Sequence, residues 1–463
     1  MDLKDLRGIE RREFIRWSAL VATLIGVERT RHLEVLSKVG GVAMADAAGA
    51  AAKILKTIHI VDGNGGVSNW TLPFPNSVIA TTATATFSSH APGLGVKSTK
   101  TERPSYYSPE ASAVFEALPN SFQVTQFTAG TSNAHSATPP QIIGGGAAMI
   151  AAIASIQTAS STLVPSMVIN AGLYGAAPGA PAPAVVPNAA GLIGIFNSQA
   201  AATLLKPAGN PEMLQKYHST FLSLNAASKS PTSKRHFDAS KVAVNLLGKQ
   251  LGDALTPTPA DLAMYGIDGT TPPAVANMSR AIITTLKAMA MGLTNQVALP
   301  GFNNDPHGMF ANGKAMAATT AGAISKMLKG LYTHADSLKD PASGKKISEG
   351  ILMTVHGDTM KNPFNENGWG DGSQQNVLYV IGNSRGRLKS GAFGGYVNPN
   401  TPADWIPETG ETVARGGAGS VTGAASFASA SAAVAYAVCG DMRRVGDFYR
   451  GPDLSGVTNI SLV

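Results

Sequence analysis

Charge is what this 463-residue chain has least of: Asp, Glu, Lys and Arg make up 14% of it, where soluble domains usually carry about 25%. With 44% apolar residues it can still bury a core, so disorder driven by charge is excluded. A single cysteine, Cys439, excludes an intrachain disulfide framework and any cysteine-rich metal site. Aromatics reach only 6%, while 50 Gly and 28 Pro follow no collagen period; this describes a loop-rich globular chain packed with small side chains. No run of 18 or more residues has the hydrophobicity of a membrane span, and no transmembrane segment is expected. The net charge of +7 comes from 36 Lys and Arg scattered along the chain without interleaved aromatics, so no nucleic-acid partner is expected either.

The scarcity of charge is uneven. Residues 117–205, 89 in a row, contain no Asp, Glu, Lys or Arg, although the average frequency would place about 12 there. Residues 63–96 are also uncharged. One reading makes 117–205 mostly core and neutral loop. The other puts part of it, including Ala176–Pro187, against a second copy of the chain or a protein partner, since interface centres are depleted of charge.

At the N-terminus, Glu10-Arg-Arg-Glu-Phe-Ile-Arg16 precedes an 11-residue apolar run from Trp17 to Val27, a pattern similar to a twin-arginine export signal. Small residues around Ala43-Met-Ala45 offer a cleavage position. Three readings of residues 1–45 stand open: a cleaved signal, a signal retained in the mature protein, and a plain amphipathic helix over 2–39. The export readings imply a periplasmic or cell-surface protein exported folded.

From residue 46 on, one large domain is expected. Short apolar, β-branched runs predict strands at Ile54–Val61, Phe122–Phe127, Ser166–Ile169, Gln296–Leu299, Ile351–Val355 and Val377–Ile381. Helices are predicted over 146–157, 189–205, 211–225, 239–254, 274–292, 311–332 and 424–437. Their alternation implies an α/β fold with a mostly parallel central sheet flanked by helices. Ala176–Pro187, with prolines at 178, 181, 183 and 187, is expected to be a stiff neutral loop. Residues 227–236 and 335–346 are expected to be polar connectors.

Three segments that follow predicted strands carry groups able to bind a divalent metal: Asp62-Gly-Asn-Gly-Gly66; Asn303-Asn-Asp305-Pro-His307; and His356-Gly-Asp358-Thr359 with Gly368-Trp-Gly-Asp371-Gly372. A hydrolytic centre needs carboxylates and imidazoles converging from separate strand ends, and parallel sheets place those ends on one side. Thr131 and Ser132, in a polar loop beside His135, are the candidates for an activated hydroxyl nucleophile. His334 and His236 sit in polar segments expected to be exposed and receive no role. No Walker loop or dinucleotide fingerprint is present.

Taken in order, these segments resemble the exported bacterial family called domain of unknown function 1501, which is related in fold to alkaline phosphatases and sulfatases. His59-Ile-Val-Asp-Gly-Asn-Gly-Gly-Val-Ser-Asn69 resembles that family's early Gly-Gly-Asn-Asp-Gly-Leu-Asn. Gly130-Thr-Ser-Asn-Ala-His135 resembles its Ser-His loop, and Phe302-Asn-Asn-Asp305-Pro-His307 its Gly-Gly-Trp-Asp-Thr-His. His356-Gly-Asp-Thr359 is similar to Phe-Gly-Arg-Thr, and Asp371-Gly372 to Asp-His-Gly. The resemblance spans about residues 55–400 and implies an alkaline-phosphatase-like scaffold with Asp62, His135, Asp305, His307 and Asp371 as what remains of a metal site for Zn, Ca or Mg.

The departures bear on function. Gly372 stands where the family has an imidazole, and Phe427–Cys439, the last predicted helix, contains no histidine. A full two-metal centre, with several ligands per ion about 3.5–4 Å apart, is therefore not expected. The resemblance then implies a weakly active or non-catalytic binding or structural subunit of an extracytoplasmic assembly. The alternative is an exported metal-dependent hydrolase of phosphate or sulfate esters.

Overall fold

The computed structural model describes residues 54–61, 96–107, 109–130, 142–158, 162–169, 171–187, 189–196, 219, 223, 251–301, 315–341, 343–361, 371–398 and 401–460. Among them, eight strands form one sheet: β1 (Lys56–Val61), β2 (Gln123–Ala129), β3 (Met167–Ile169), β4 (Ala184–Val186), β5 (Gln296–Pro300), β6 (Ile351–Lys361), β7 (Asp371–Gly382) and β8 (Gly391–Phe393). Their spatial order is β4-β3-β5-β1-β6-β7-β2-β8. Every pairing is parallel except the two made by β7, which runs against β6 and β2.

The central strands are buried on both faces. β1 has no exposed residue along Lys-Thr-Ile-His-Ile-Val, the pattern expected of a parallel strand covered by helices on each side. On one face Ile58, Ile60, Val297, Leu299, Met353, Val355 and Tyr379 pack against α1 (Pro109–Ala117), α6 (Pro273–Ala290) and α7 (Ala315–Ser337). On the other, Val61, Phe127, Ala298, Leu352, Leu378 and Val380 share a cluster with α2 (Met149–Gln157) and α8 (Gly423–Cys439). Between α2 and α6 the chain also forms α3 (Ala189–Phe196), α4 (Leu251–Leu255) and α5 (Pro259–Met264). α8 reads Gly-Ala-Ala-Ser-Phe-Ala-Ser-Ala-Ser-Ala-Ala-Val-Ala-Tyr-Ala-Val-Cys. Short side chains let its backbone lie close to the sheet, and Val438 accepts from Leu55 N at 2.9 Å.

All six predicted strands are present. The helices α1 and α5 and the short strand β8 are not among the expected elements, and three stated expectations are corrected. The end of the Ala176–Pro187 stretch is not loop but β4, a short edge strand, which is where prolines are tolerated because one side of the strand needs no donors. Residues 335–337 are the last turn of α7, not connector. His334 is buried, not exposed, because a helical period puts it on the same face as Leu331, Ala335 and Leu338, facing α5. Most of the predicted helices 211–225 and 239–254 lies outside the described residues.

The uncharged segment divides. β2, α2 and β3 are almost wholly buried, whereas Gly172, Ala176, Pro178, Gly179, Ala182, Val185 and Pro187 face solvent in the single chain. That exposed stretch is held in place: Tyr174 OH donates to Pro181 O (2.6 Å), Ser155 Oγ to Pro178 O (2.9 Å) and Ala148 N to Ala176 O (2.8 Å).

A three-stranded antiparallel sheet (395–398, 401–405, 412–414) caps β2 and β8. Trp405, completely buried, donates its Nε1 hydrogen to Thr128 O at 2.9 Å and packs tilted against Phe127 and edge-on to Phe393.

Candidate functional site

Because seven of the eight strands run the same way, their carboxyl ends meet on one edge, the usual place for ligands in such sheets. Val61 lies beside Pro300, and Gly301 N donates to Val61 O at 2.7 Å. β2 ends two pairs beyond Phe127, at Ala129 opposite Asn376. Gly130 N then donates to Ser426 Oγ in the first turn of α8 (3.2 Å). The N-terminus of α8 therefore lies at this edge and its C-terminus at the opposite one, beside Leu55.

Asp62 directly follows β1, Thr131 and Ser132 follow Gly130, and Asp305 and His307 follow β5. These residues and His135 lie outside the described ones, so the fold gives only the edge from which their segments depart. The backbone of Asp371 is described: it opens β7 and pairs with Lys361. It stands five residues before the Asn376–Ala129 pair, about 16 Å further out at the rise of an extended strand. The β6–β7 ribbon thus projects past the other strand ends. Among the described residues, no three His, Cys, Asp or Glu side chains come together in a way that could hold a metal ion.

One row inside this edge lies a pair of histidines, His356 from the third of the metal-binding segments expected from sequence and His59, to which the sequence reading assigns no role of its own. His59 on β1 sits opposite Thr354 on β6, and its Nδ1 shares a 2.7 Å hydrogen bond with Thr354 Oγ1. His356, two residues along β6 and on the same face, packs its ring 5.9 Å from Phe427 of α8. Both are buried, and the Nε2 of each has no hydrogen-bond partner. Burial, reinforced by the neighbouring His356, holds the His59 imidazole down to about 3, and burial alone takes His356 to about 4. Both rings are therefore neutral near pH 7. The signal was legible in outline: two strands predicted to be buried each carry Thr-apolar-His, at Thr57-Ile-His59 and Thr354-Val-His356.

A second polar cluster lies near the opposite edge, on the α6/α7 face. Asp261 of α5 accepts from Lys287 Nζ (2.6 Å) and from both the backbone N and Oγ1 of Thr258 (2.8 Å each). His334 Nε2 lies 3.9 Å from its other oxygen, and Tyr265 OH lies 3.4 Å from His334 Nδ1. The cluster fastens α5 to α6 and α7. Gly330 permits the close approach, because a Cβ there would stand 2.6 Å from Tyr265 Cγ and 2.8 Å from its Cα.

No family model, curated protein or solved structure matches this chain.

Proposed function

We propose that this protein is a non-catalytic or weakly active member of the alkaline phosphatase-like superfamily, exported and used as a binding or structural subunit of an extracytoplasmic assembly. The sheet supports the scaffold. Its order, with the seventh strand alone reversed, is not the 3-2-1-4-5-6 or 2-1-3-4-5 of doubly wound nucleotide-binding folds. The observation that carries the loss of catalysis is α8. It reaches the ligand-bearing edge at β2, yet from Gly423 to Cys439 it has no histidine and no carboxylate. Gly372 adds a second position without an imidazole. The held, uncharged stretch ending at the exposed Val185 supports the partner surface, because it is a preformed neutral patch on a chain otherwise dressed in scattered charge.

The hydrolase alternative draws on one observation: the segments bearing Asp62, Thr131, Asp305 and His307 all leave from one edge of the sheet. Metal analysis of the purified protein, with assays on phosphate and sulfate esters, separates the two. The proposal expects fewer than two tightly bound divalent ions per chain and no turnover that depends on Asp305. Two zinc ions per chain, with phosphatase activity abolished by Asp305→Ala, would overturn it.

A further inference from the structure

We propose that His59 and His356 form a two-imidazole site for copper, bound as the monovalent ion, in the core between the sheet and α8. The inference goes beyond the proposed function, and its two ligands are not among the residues on which that reading rests. Its starting point is the pair of buried Nε2 atoms without partners, on adjacent strands and on the same face. Orphaned polar atoms in a core call for an explanation, and an ion is one of the few available.

The surroundings of His59 favour ligation. A histidine that binds metal through one nitrogen almost always engages the other in a fixed hydrogen bond, and His59 Nδ1 shares such a bond with Thr354 Oγ1 at 2.7 Å, in which the ligating tautomer has Nδ1 donating to the hydroxyl. When Nδ1 carries the hydrogen, Nε2 presents a bare lone pair. Metal binding also requires deprotonated ligands, and burial already keeps both rings neutral. No proton has to be displaced on uptake.

The choice of ion follows from donors and charge. Imidazole nitrogens suit copper, zinc, iron and nickel, whereas calcium and magnesium demand oxygen, and of the imidazole-binding ions copper is the one with a stable monovalent state. Among the described residues, β2, β5, α2 and α8 contain no Asp, Glu, Lys or Arg, and the adjoining strand β7 carries only Asp371, at its outer end. Nearer the ends of its own strands lie Lys56, bonded to Asn295 and Asp340 at the far edge, and Asp358 and Lys361 beyond His356. Burying an uncompensated dication is costly. A monovalent ion held by two neutral nitrogens carries half that charge and needs no further ligand. The Phe427 ring packs beside His356, and both imidazoles are buried.

The test uses the full, tag-free chain under anaerobic conditions, titrated with Cu(I) against a chromophoric chelator, with Zn(II) as the comparison ion. One Cu(I) per chain is expected, with an X-ray absorption spectrum of low coordination number and two imidazole nitrogens. His59→Gln and His356→Gln should each weaken uptake at least 100-fold. Thr354→Val, which removes the orienting bond, should weaken it about 10–100-fold. Circular dichroism establishes that each variant folds, and the wild-type spectrum stands even if one does not. No uptake, a spectrum without two imidazoles, or uptake by either histidine variant as tight as that of the wild type would overturn the proposal. Zinc retained through Asp305 and His307 would bear on the hydrolase reading and leave the copper result to stand by itself.

Discussion

Replacing Asp261 by Asn removes one negative charge from the junction of α5, α6 and α7 with almost no change of shape. The amide oxygen can still accept from Thr258 N, so much of the capping box at the start of α5 survives. What is lost is the ion pair with Lys287, whose partners are 14% and 13% exposed. Burial by itself would raise the Asp261 carboxyl, but the bonds from Lys287 and Thr258 outweigh it and hold the group at about 2, from an ordinary 3.8. At roughly 1.4 kcal/mol per unit that shift corresponds to about 2.4 kcal/mol. Because α5 has no buried residue, water screens the pair, and about 1–2 kcal/mol is the expected cost of Asp261→Asn at pH 7. A depressed carboxyl contributes stability above its unfolded value and loses it as pH falls through the folded one. The gap between wild type and variant should therefore hold from pH 7 to about 4 and close toward pH 2. Urea denaturation of both proteins across that range measures it. A gap that stays constant with pH, or is absent at pH 7, would refute the electrostatic account.

Trp405→Phe keeps an aromatic ring against Phe127 and Phe393 but withdraws the donor to Thr128 O; a loss of about 1–3 kcal/mol, the cost of a buried acceptor left short, should appear in the same denaturation assay. Gly330→Ala forces a methyl into Tyr265, and overpacking of this kind costs about 1–3 kcal/mol; its signature is a lower thermal midpoint together with a changed tyrosine signal in near-ultraviolet dichroism. Val185→Lys places a charge on the exposed edge strand, 52% open in the single chain, and should leave stability within about 0.5 kcal/mol while dissociating any self-associated form seen by light scattering. A wild-type protein that stays monomeric at tens of micromolar would leave a separate protein as the only partner for that surface.

The buried strands were readable because a run such as Ile58-His-Ile-Val61, bounded by turn residues, has few alternatives. β4 was missed since prolines at 181, 183 and 187 read as loop, and only an edge position reconciles them with a strand. α1 was missed because nine residues beginning with Pro109 leave too little apolar periodicity. His334 was misjudged from its polar chain neighbours Thr333 and Asp336, although Leu331 and Leu338 mark the inward stripe. At the candidate site, sequence order alone led to one edge of the sheet. It could not disclose that Thr354 and His59 would be register partners, because that depends on which strands adjoin across nearly 300 residues of chain.

The reversed strand β7 also governs the timing of synthesis. β2 bonds only to β7 and β8 within the sheet, and β1 only to β5 and β6, so both early strands leave the ribosome about 240 residues ahead of their first sheet partner. At 5–20 residues per second each waits roughly 12–50 s with its apolar faces uncovered. A chain ending anywhere before residue 371 would have no partner for β2 at all. Such fragments should be collected by chaperones or aggregate, and only the nearly finished polypeptide can close its sheet.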